Sequence, residues 1–204
     1  MSTSHHPTTP RYQAIVFLGP PGSGKGTQAR ILGEVPGYAF VSMGEILRKL
    51  DPGTRAGRER REIMEGGGLV PTDMVISTWL RFMQTELAET GFRADQDILA
   101  LDGLPRNTEQ VEALAPHLTI QRVVHLQCEN DEILLDRIRG RKAGRQDDRD
   151  DRVIRHRFEI YRQETEPLLG AFPPATIATV DAAQPPLHVL GAIVDQLMES
   201  GSAK

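Results

Sequence analysis

The chain has a single cysteine, Cys128, among its 204 residues. One thiol supports neither an internal disulfide framework nor a four-cysteine zinc site, so both are excluded. No apolar run reaches the length of a membrane-spanning helix, and we therefore expect no association with a membrane. Residues 1–10 are polar and lack the hydrophobic stretch of a signal peptide. We interpret them as a disordered tail and expect a cytoplasmic protein.

A strong charge of either sign is also missing. The formal net charge is −4 at pH 7, so there is no general basic field to attract nucleic acid, and nucleic acid is not an expected partner. Lysine is scarce, because only four of the 24 basic residues are lysines. Arginine is favoured where a planar, forked cation must hold a phosphate, although a GC-rich genome would produce the same excess.

A glycine-rich stretch after the first apolar run is the strongest functional signal. Residues 14–18 predict a buried strand, and a helical pattern opens at Thr27. A loop between such elements can point main-chain N–H groups at a phosphate, and the start of the helix adds partial positive charge. Lys25 would meet the terminal phosphates, and the hydroxyl of Thr27 would reach Mg²⁺ or its waters. Gly26 separates these two residues, whereas the general signature has them adjacent.

Short apolar segments alternate with helical patterns along the whole chain. The predicted strands cover residues 14–18, 38–41, 97–102, 123–127 and 176–180. This alternation predicts an α/β fold: a doubly wound, five-stranded parallel sheet with helices on both faces. The length suits one domain over residues 11–204. Residues 42–71 contain few large apolar side chains, so we expect a mobile insertion there, and a second, shorter mobile segment at about 140–148.

Two local patterns predict details of the helices. Ser42 and Glu45 have the spacing of a capping box at the start of a helix. The apolar positions of the last helix, residues 186–198, predict a buried side made of Leu187, Leu190, Val194 and Leu197. Asp102 ends the third predicted strand and would lie beside the phosphate loop, since ligands gather at the carboxyl ends of parallel strands.

Four motifs, in order along the chain, resemble those of the nucleoside monophosphate kinases, and most closely the adenylate kinases. They are GPPGSGKGTQ at 19–28, SMGEILR at 42–48, GLVP at 68–71 and DGLPRNTEQ at 102–110. The resemblance covers nearly the whole chain, and the displaced Thr27 is itself the family's pattern. It implies a fold of the P-loop NTPase type.

The resemblance also implies roles for individual residues. The implied catalytic residues are Lys25, Arg106, Arg141, Arg145 and Arg157. The implied ATP-binding residues are Gly22, Ser23, Gly24, Lys25, Gly26, Thr27, Arg137, Arg141 and Gln184. The implied AMP-binding residues are Met43, Arg48, Gly68, Leu69, Val70, Gly103, Arg106, Gln110, Arg145 and Arg157. Mg²⁺ would be held through water by Thr27 and Asp102.

The implied activity is that of a monomeric enzyme that transfers the γ-phosphoryl group of ATP to AMP, giving two ADP. Gln110 matches the glutamine that reads adenine in adenylate kinases. Asn107 instead resembles the uridylate/cytidylate kinases, while Met43 and Leu104 depart from the adenylate kinase pattern, so UMP or CMP stays an alternative acceptor. A different class, a phosphate-loop ATPase or switch that binds protein or RNA, is disfavoured because acidic residues are interspersed among its candidate basic residues.

The segment that would close over ATP is unusually short. Only three residues separate Arg141 from Arg145, and none is a cysteine, so a zinc-bearing lid is excluded. The chain after Arg145 holds one residue more than the usual family spacing. Arg155 is therefore an alternative to Arg157 as the arginine that bridges the two substrates.

Overall fold

The computed structural model describes residues 11–141, 148, 150–199 and 201. The predicted tail at residues 1–10 lies outside the described residues, as does most of the predicted mobile segment at 140–148, including Arg145.

A five-stranded parallel sheet forms the centre of the protein. Its strands are β1 (Tyr12–Leu18), β2 (Tyr38–Ser42), β3 (Ile98–Asp102), β4 (Leu118–Gln127) and β5 (Ile177–Asp181). They lie in the order β2-β3-β1-β4-β5 across the sheet. The predicted fold class is thus confirmed. β4 begins at Leu118, earlier than predicted, because it pairs with β1 from Tyr12 onward through a register shift between Ala14 and Ile15.

Helices connect the strands and cover the sheet. They are α1 (Lys25–Gly33), α2 (Met43–Lys49), α3 (Arg55–Glu65), α4 (Thr72–Gln84), α5 (Thr108–Leu114), α6 (Asp131–Arg139), α7 (Asp151–Ile160) and α8 (Pro186–Glu199). Short 3₁₀ turns lie at Ala88–Thr90, Glu166–Ala171 and Pro174–Thr176, and a π-helical turn at Tyr161–Thr165 follows α7. Within the described part of the chain, no helix combines the length and the apolar character needed to cross a bilayer.

The apolar core lies on both faces of the sheet. Successive strand residues point to opposite faces, so Val16 and Leu99 join one cluster while Ile15 and Ala100 join the other. Strands covered on both faces are nearly continuous apolar runs, which is the pattern that residues 14–18 displayed in the sequence. Both faces of the sheet are therefore apolar, and polar side chains lie at its carboxyl edge.

The final helix buries a different side from the predicted one. Val189, Ile193 and Leu197 are buried, whereas Leu187 is 75% exposed and Val194 is 40% exposed. Of the four residues predicted to face the core, only Leu197 is fully buried. α8 is apolar on several sides, so helical spacing alone fits more than one stripe, and the contact with the sheet selects the stripe that packs.

Candidate active site

A cavity of about 400 Å³ opens at the carboxyl edge of the sheet, between β1 and β3. We call it the main cavity. Ligands of open α/β sheets bind at this edge, in the crevice beyond the strand ends. The charged side chains that line it come from distant parts of the chain: Lys25, Arg30, Glu45, Arg48, Asp102, Arg106, Arg141 and Arg157. Cations dominate this lining, so the main cavity suits a polyanion.

The phosphate loop forms the floor of the main cavity. Gly24, which directly precedes α1, has φ 96°, a left-handed conformation that glycine adopts without strain. Because Gly24 has no side chain, it cannot cap the first turn of α1, and the helix N-terminus is suited to binding an anion. The buried Oγ of Ser23 has no hydrogen-bond partner among the described residues. The predicted loop residues Gly22, Gly24, Lys25, Gly26 and Thr27 all line the cavity.

Lys25 lies at the centre of the cationic groups. Its Nζ donates hydrogen bonds to the carbonyl oxygens of Gly19, at 2.6 Å, and Pro20, at 2.9 Å. Burial lowers the pKa of Lys25 to about 7, because removal from water disfavours the charged form. Asp102 opposes this shift, whereas the nearby guanidinium groups of Arg106, Arg157 and Arg141 add to it. A bound polyanion would reverse this repulsion.

Gly26 allows the loop to approach Asp102 closely. A Cβ at position 26 would lie 3.1 Å from Oδ2 of Asp102, which explains why glycine separates Lys25 from Thr27. Thr27 is an exposed residue, and it lines the main cavity together with Asp102. Such oxygen donors fit Mg²⁺, which is usually held by one or two carboxylates together with substrate phosphates and water.

The predicted capping box at Ser42 is absent, and this prediction was wrong. α2 has no side-chain hydrogen bond at its N-cap, because the hydroxyl of Ser42 donates instead to Oδ2 of Asp102, at 3.1 Å. Glu45 forms an ion pair with Arg30. Two polar side chains that could cap a helix therefore serve the lining of the main cavity.

A second, smaller pocket adjoins the main cavity and shares Arg48, Arg106 and Arg157 with it. We call it the side pocket. It is lined by every predicted AMP-binding residue that the structure describes: Met43, Arg48, Gly68, Leu69, Val70, Gly103, Arg106, Gln110 and Arg157. The structure therefore brings these residues together around one space, next to the phosphate loop.

The side chain of Gln110 has a fixed orientation. It is 2% exposed, and its Oε1 accepts a hydrogen bond of 2.8 Å from the main-chain N–H of Arg106. Because an N–H can only donate, the amide oxygen must face Arg106 and the NH₂ group must face away. Asn107, the residue that favoured another base, caps α5 instead, since its Oδ1 accepts from the N–H of Gln110 at 2.9 Å.

Arg141 and Arg157 meet above the phosphate loop. Both bind the carboxylate of Asp148, at 2.9 Å and 2.7 Å respectively, and the side chain of Asp148 is 3% exposed. Arg155, the alternative to Arg157, points away from the main cavity and lies 3.9 Å from Glu132. Of the two candidates, the structure brings Arg157 to the cavity.

Arg137 and Gln184 come together outside the main cavity, on the loop that follows β5. Arg137 donates to the main-chain carbonyls of Ala182, Ala183, at 3.0 Å, and Gln184, at 3.1 Å. The side chain of Gln184 donates to Asp181. These two predicted ATP-binding residues are thus neighbours, and Arg137 orders the main chain of that loop.

Several lining residues of the main cavity were not predicted as site residues, among them Tyr161 and Thr165. Tyr161 and Thr165 belong to the π-helical turn after α7, and both are buried at the edge of the cavity. The Oη of Tyr161 lies 3.2 Å from Nε2 of the buried His125. Burial lowers the pKa of His125 and raises the pKa of Tyr161, so this is a contact between neutral groups. The sequence offers no signal for a π-helical turn, and Tyr161 reads as part of an apolar stripe.

Comparison with known proteins agrees with this arrangement. The family model described as adenylate kinase matches residues 17–176. The chain is 41% identical over 166 residues to the adenylate kinase of Synechococcus sp. (strain WH7803), covering 78% of this chain and 84% of that protein. It is 40% identical over 174 residues to that of Mycolicibacterium vanbaalenii, covering 82% and 90% respectively. It is 40% identical over 168 residues to that of Thermus thermophilus, covering 78% and 83%.

These matches span most of the chain and confirm the resemblance on which the interpretation of the sequence relied. The family model begins within β1 and ends directly before β5, so it contains the phosphate loop and both pockets. The chain therefore belongs to the adenylate kinase family of phosphotransferases.

Proposed function

We propose that the enzyme transfers the γ-phosphoryl group of ATP to AMP, in a reversible, Mg²⁺-dependent reaction that gives two ADP. The observation that carries this proposal is the shared wall of the two pockets. Arg48, Arg106 and Arg157 line both the main cavity, which holds the phosphate loop, and the side pocket. An anion in either pocket would therefore lie against the same guanidinium groups, with the two phosphate chains end to end.

The donor side relies on the loop and Lys25. The N-terminus of α1 and the Lys25 ammonium would hold the β- and γ-phosphates of ATP. The γ-phosphoryl group spreads negative charge over its oxygens as it transfers, so catalysis consists mainly of positioning and charge neutralisation. Lys25 and Arg106 would supply that charge from the loops at the strand ends, and Arg141 and Arg157 would add to it after closure, so that the charge is in place before the transfer.

Thr27 and Asp102 would hold Mg²⁺ through its waters. When bound, the ion would neutralise charge on the ATP phosphates. The carboxylate of Asp102 is aligned by the Ser42 hydroxyl and lies close to Gly26, so its position does not depend on the ion.

The bridge at Asp148 suggests how closure over ATP is coupled to binding. Arg141 and Arg157 already converge on one carboxylate, an anion that, like a phosphate group, accepts hydrogen bonds from guanidinium groups. We propose that both exchange Asp148 for phosphate oxygens when the segment at about 140–148 closes, and that Arg145 joins them. Closure would also exclude water and prevent hydrolysis of ATP.

Adenine is the acceptor base that we propose. With its oxygen bound to Arg106, Gln110 offers its NH₂ group to a ring nitrogen that accepts a hydrogen bond. The main chain at Gly68, Leu69 and Val70 would line the same base. Asn107 is engaged as a helix cap, which removes the main reason to prefer UMP or CMP.

We further propose that the segment at residues 42–71 closes over AMP as a mobile insertion, and that the enzyme acts as a cytoplasmic monomer. The partners are then small nucleotides, ATP and AMP, with no membrane or nucleic acid.

An acceptor panel tests this function. The protein is mixed with ATP, Mg²⁺ and one of AMP, UMP, CMP or GMP, and the formation of diphosphates is followed. We expect rapid turnover with AMP and little with the others. Preference for UMP or CMP would overturn the base assignment. Phosphate release that is independent of any acceptor would instead support an ATPase or switch.

A further inference from the structure

We propose that Thr165 and Tyr161 are positioning residues that hold the main chain of Arg106 in place for the acceptor phosphate. This inference rests on the proposed function, because Arg106 is the arginine that would grip AMP. It concerns a part of the chain, the π-helical turn at Tyr161–Thr165, that lies outside the motifs of the phosphate loop and the acceptor site.

The peptide groups on either side of Arg106 are fixed by two buried side chains. The carbonyl oxygen of Arg106 accepts a hydrogen bond of 2.8 Å from Oγ1 of Thr165. Its N–H donates to Oε1 of Gln110, also at 2.8 Å. Thr165 is 7% exposed and Gln110 is 2% exposed, so neither bond competes freely with water. Residues 106 and 165 lie far apart in sequence, so the bond joins two separate elements of the site.

The π-helical turn sets the direction of Thr165. Single π turns inside longer helices are rare and often lie at functional sites, because the extra residue changes which side chains face the pocket. Here Arg157, Tyr161 and Thr165 follow one another at intervals of four residues, and all three line the main cavity. In a regular α-helix this series would drift around the axis, since four residues exceed one turn. The wider π turn offsets the drift.

Tyr161 anchors the start of that turn to the sheet. Its Oη lies 3.2 Å from Nε2 of His125 on β4. His125 is paired in register with Leu18, the last residue of β1 before the phosphate loop. A continuous series of contacts therefore runs from the strand that carries the phosphate loop, through His125, Tyr161 and Thr165, to the main chain of Arg106.

Because Thr165 would only position Arg106, we expect its loss to affect the kinetic parameters for AMP and not those for ATP. Loss of the Thr165 hydroxyl would free the carbonyl of Arg106 and let the guanidinium group move. Lys25 and the loop would be undisturbed. We expect Thr165→Val to lower kcat/KM for AMP by about fivefold to tenfold, the value of one hydrogen bond, while KM for ATP changes by less than about twofold. Thr165→Ser, which keeps the hydroxyl, should restore the wild-type value.

Thr90→Val is the matched control. The hydroxyl of Thr90 also donates to a main-chain carbonyl, that of Leu87, at 2.7 Å, but Thr90 lines neither pocket. It should lower Tm without changing kcat/KM for AMP. Tyr161→Phe keeps the ring and loses the contact with His125, so we expect a smaller loss, about two- to threefold, that is again confined to AMP.

A double-mutant cycle separates positioning from general destabilisation. If Thr165 acts through Arg106, then Thr165→Val should cause no further loss of kcat/KM in the Arg106→Ala background. The inference would be overturned if Thr165→Val caused its full loss of kcat/KM for AMP in that background as well. It would also be overturned if KM for ATP rose as much as kcat/KM for AMP fell, or if Thr165→Val had wild-type kinetics. Failure of the proposed function looks different, because the wild-type protein itself would then show no turnover with AMP.

Discussion

At the residue scale, the Lys25 ammonium occupies a position that is unfavourable without an anion. Burial lowers its pKa to about 7 in the folded protein, and the neighbouring arginines add to this shift. In the unfolded chain the pKa returns to about 10.4. Between these values the unfolded state binds more protons, so the contribution of Lys25 to stability rises with pH. A bound anion would offset the cost of burying this ammonium group and the repulsion from the neighbouring arginines.

The Lys25→Met variant tests this cost. The variant removes the titrating group, so its advantage over the wild type should be greatest below pH 7 and should shrink as the pH rises above 7. We expect its Tm, relative to the wild type, to be about 5–10 °C higher at pH 6 than at pH 9, because about two pH units of linkage correspond to about 3 kcal/mol. The difference in Tm is measured by thermal unfolding of both proteins without nucleotide. A difference in Tm that is independent of pH would contradict the low pKa.

Arg157 and Arg155 offer a matched pair at the same scale. The side chain of Arg157 is 13% exposed and faces the main cavity, whereas that of Arg155 is 56% exposed and faces Glu132. We expect Arg157→Ala to lower kcat by about 10²–10³-fold, as for the loss of one preorganised electrostatic contact, and Arg155→Ala to change it by less than about twofold. Steady-state kinetics with ATP and AMP measures kcat of both variants. Equal losses in both variants would exclude a special role for Arg157.

Sequence alone left this choice open for a physical reason. One extra residue shifts the helical phase, and only the packed position of α7 determines which arginine faces the cavity. The phosphate loop was predictable because strand, glycines, lysine and helix are contiguous in sequence. The place of Asp102 was predictable because it ends a strand, and the carboxyl ends of parallel strands share one edge of the sheet. Thr165 was not, since its partner Arg106 lies in another element and the π-helical turn has no sequence pattern.

At the scale of elements, the strands were predicted well where they are apolar on both faces. The predicted β4 was too short, because the first half of this strand contains the polar residues Thr119, Gln121 and Arg122 and lacks the pattern of a buried strand. This half is nevertheless part of the sheet, since it pairs with β1. The prediction of the buried side of α8 was wrong because that helix has more than one apolar stripe. Tertiary pairing and packing decided both cases, and neither is visible in local sequence.

The insertion that contains α3 differs from the sheet in its packing. At the ends of the predicted insertion, residues 42–71, the side chains of Met43, Ile46, Leu47 and Val70 are buried in the core. Between residues 48 and 69, however, no described apolar side chain is fully buried, whereas Ile15 and Leu99 on the strands are completely buried. Segments with few buried apolar contacts open locally at low free-energy cost. Such a segment can close over a ligand without disturbing the sheet.

Amide hydrogen exchange tests the mobility of this insertion. We expect the amides of α3 to exchange faster than those of β1 and β3, and to become protected when both nucleotide sites are filled. The amides of the sheet, measured in the same experiment, provide the control. Protection of α3 equal to that of the strands in the free enzyme would show that the insertion is part of the rigid core.

At the scale of the whole molecule, folding brings together cations that are scattered through the sequence. These cations are contributed by the phosphate loop, α2, the loop after β3, the segment after α6, and α7, in the order Lys25, Arg48, Arg106, Arg141 and Arg157. The parallel order of the strands places their carboxyl ends along one edge, so the helices and loops that follow them surround the same space. One chain thereby forms two adjoining anion sites.

The central claim is that these two sites hold two nucleotides end to end, and a single dinucleotide tests it most directly. A molecule with two adenosines joined by five phosphates should fill both sites, and isothermal calorimetry measures its stoichiometry and affinity. We expect one molecule per chain, bound about 100-fold or more tightly than ATP, with that advantage lost in Arg106→Ala. Binding of two molecules per chain, or binding no tighter than that of ATP, would contradict the claim.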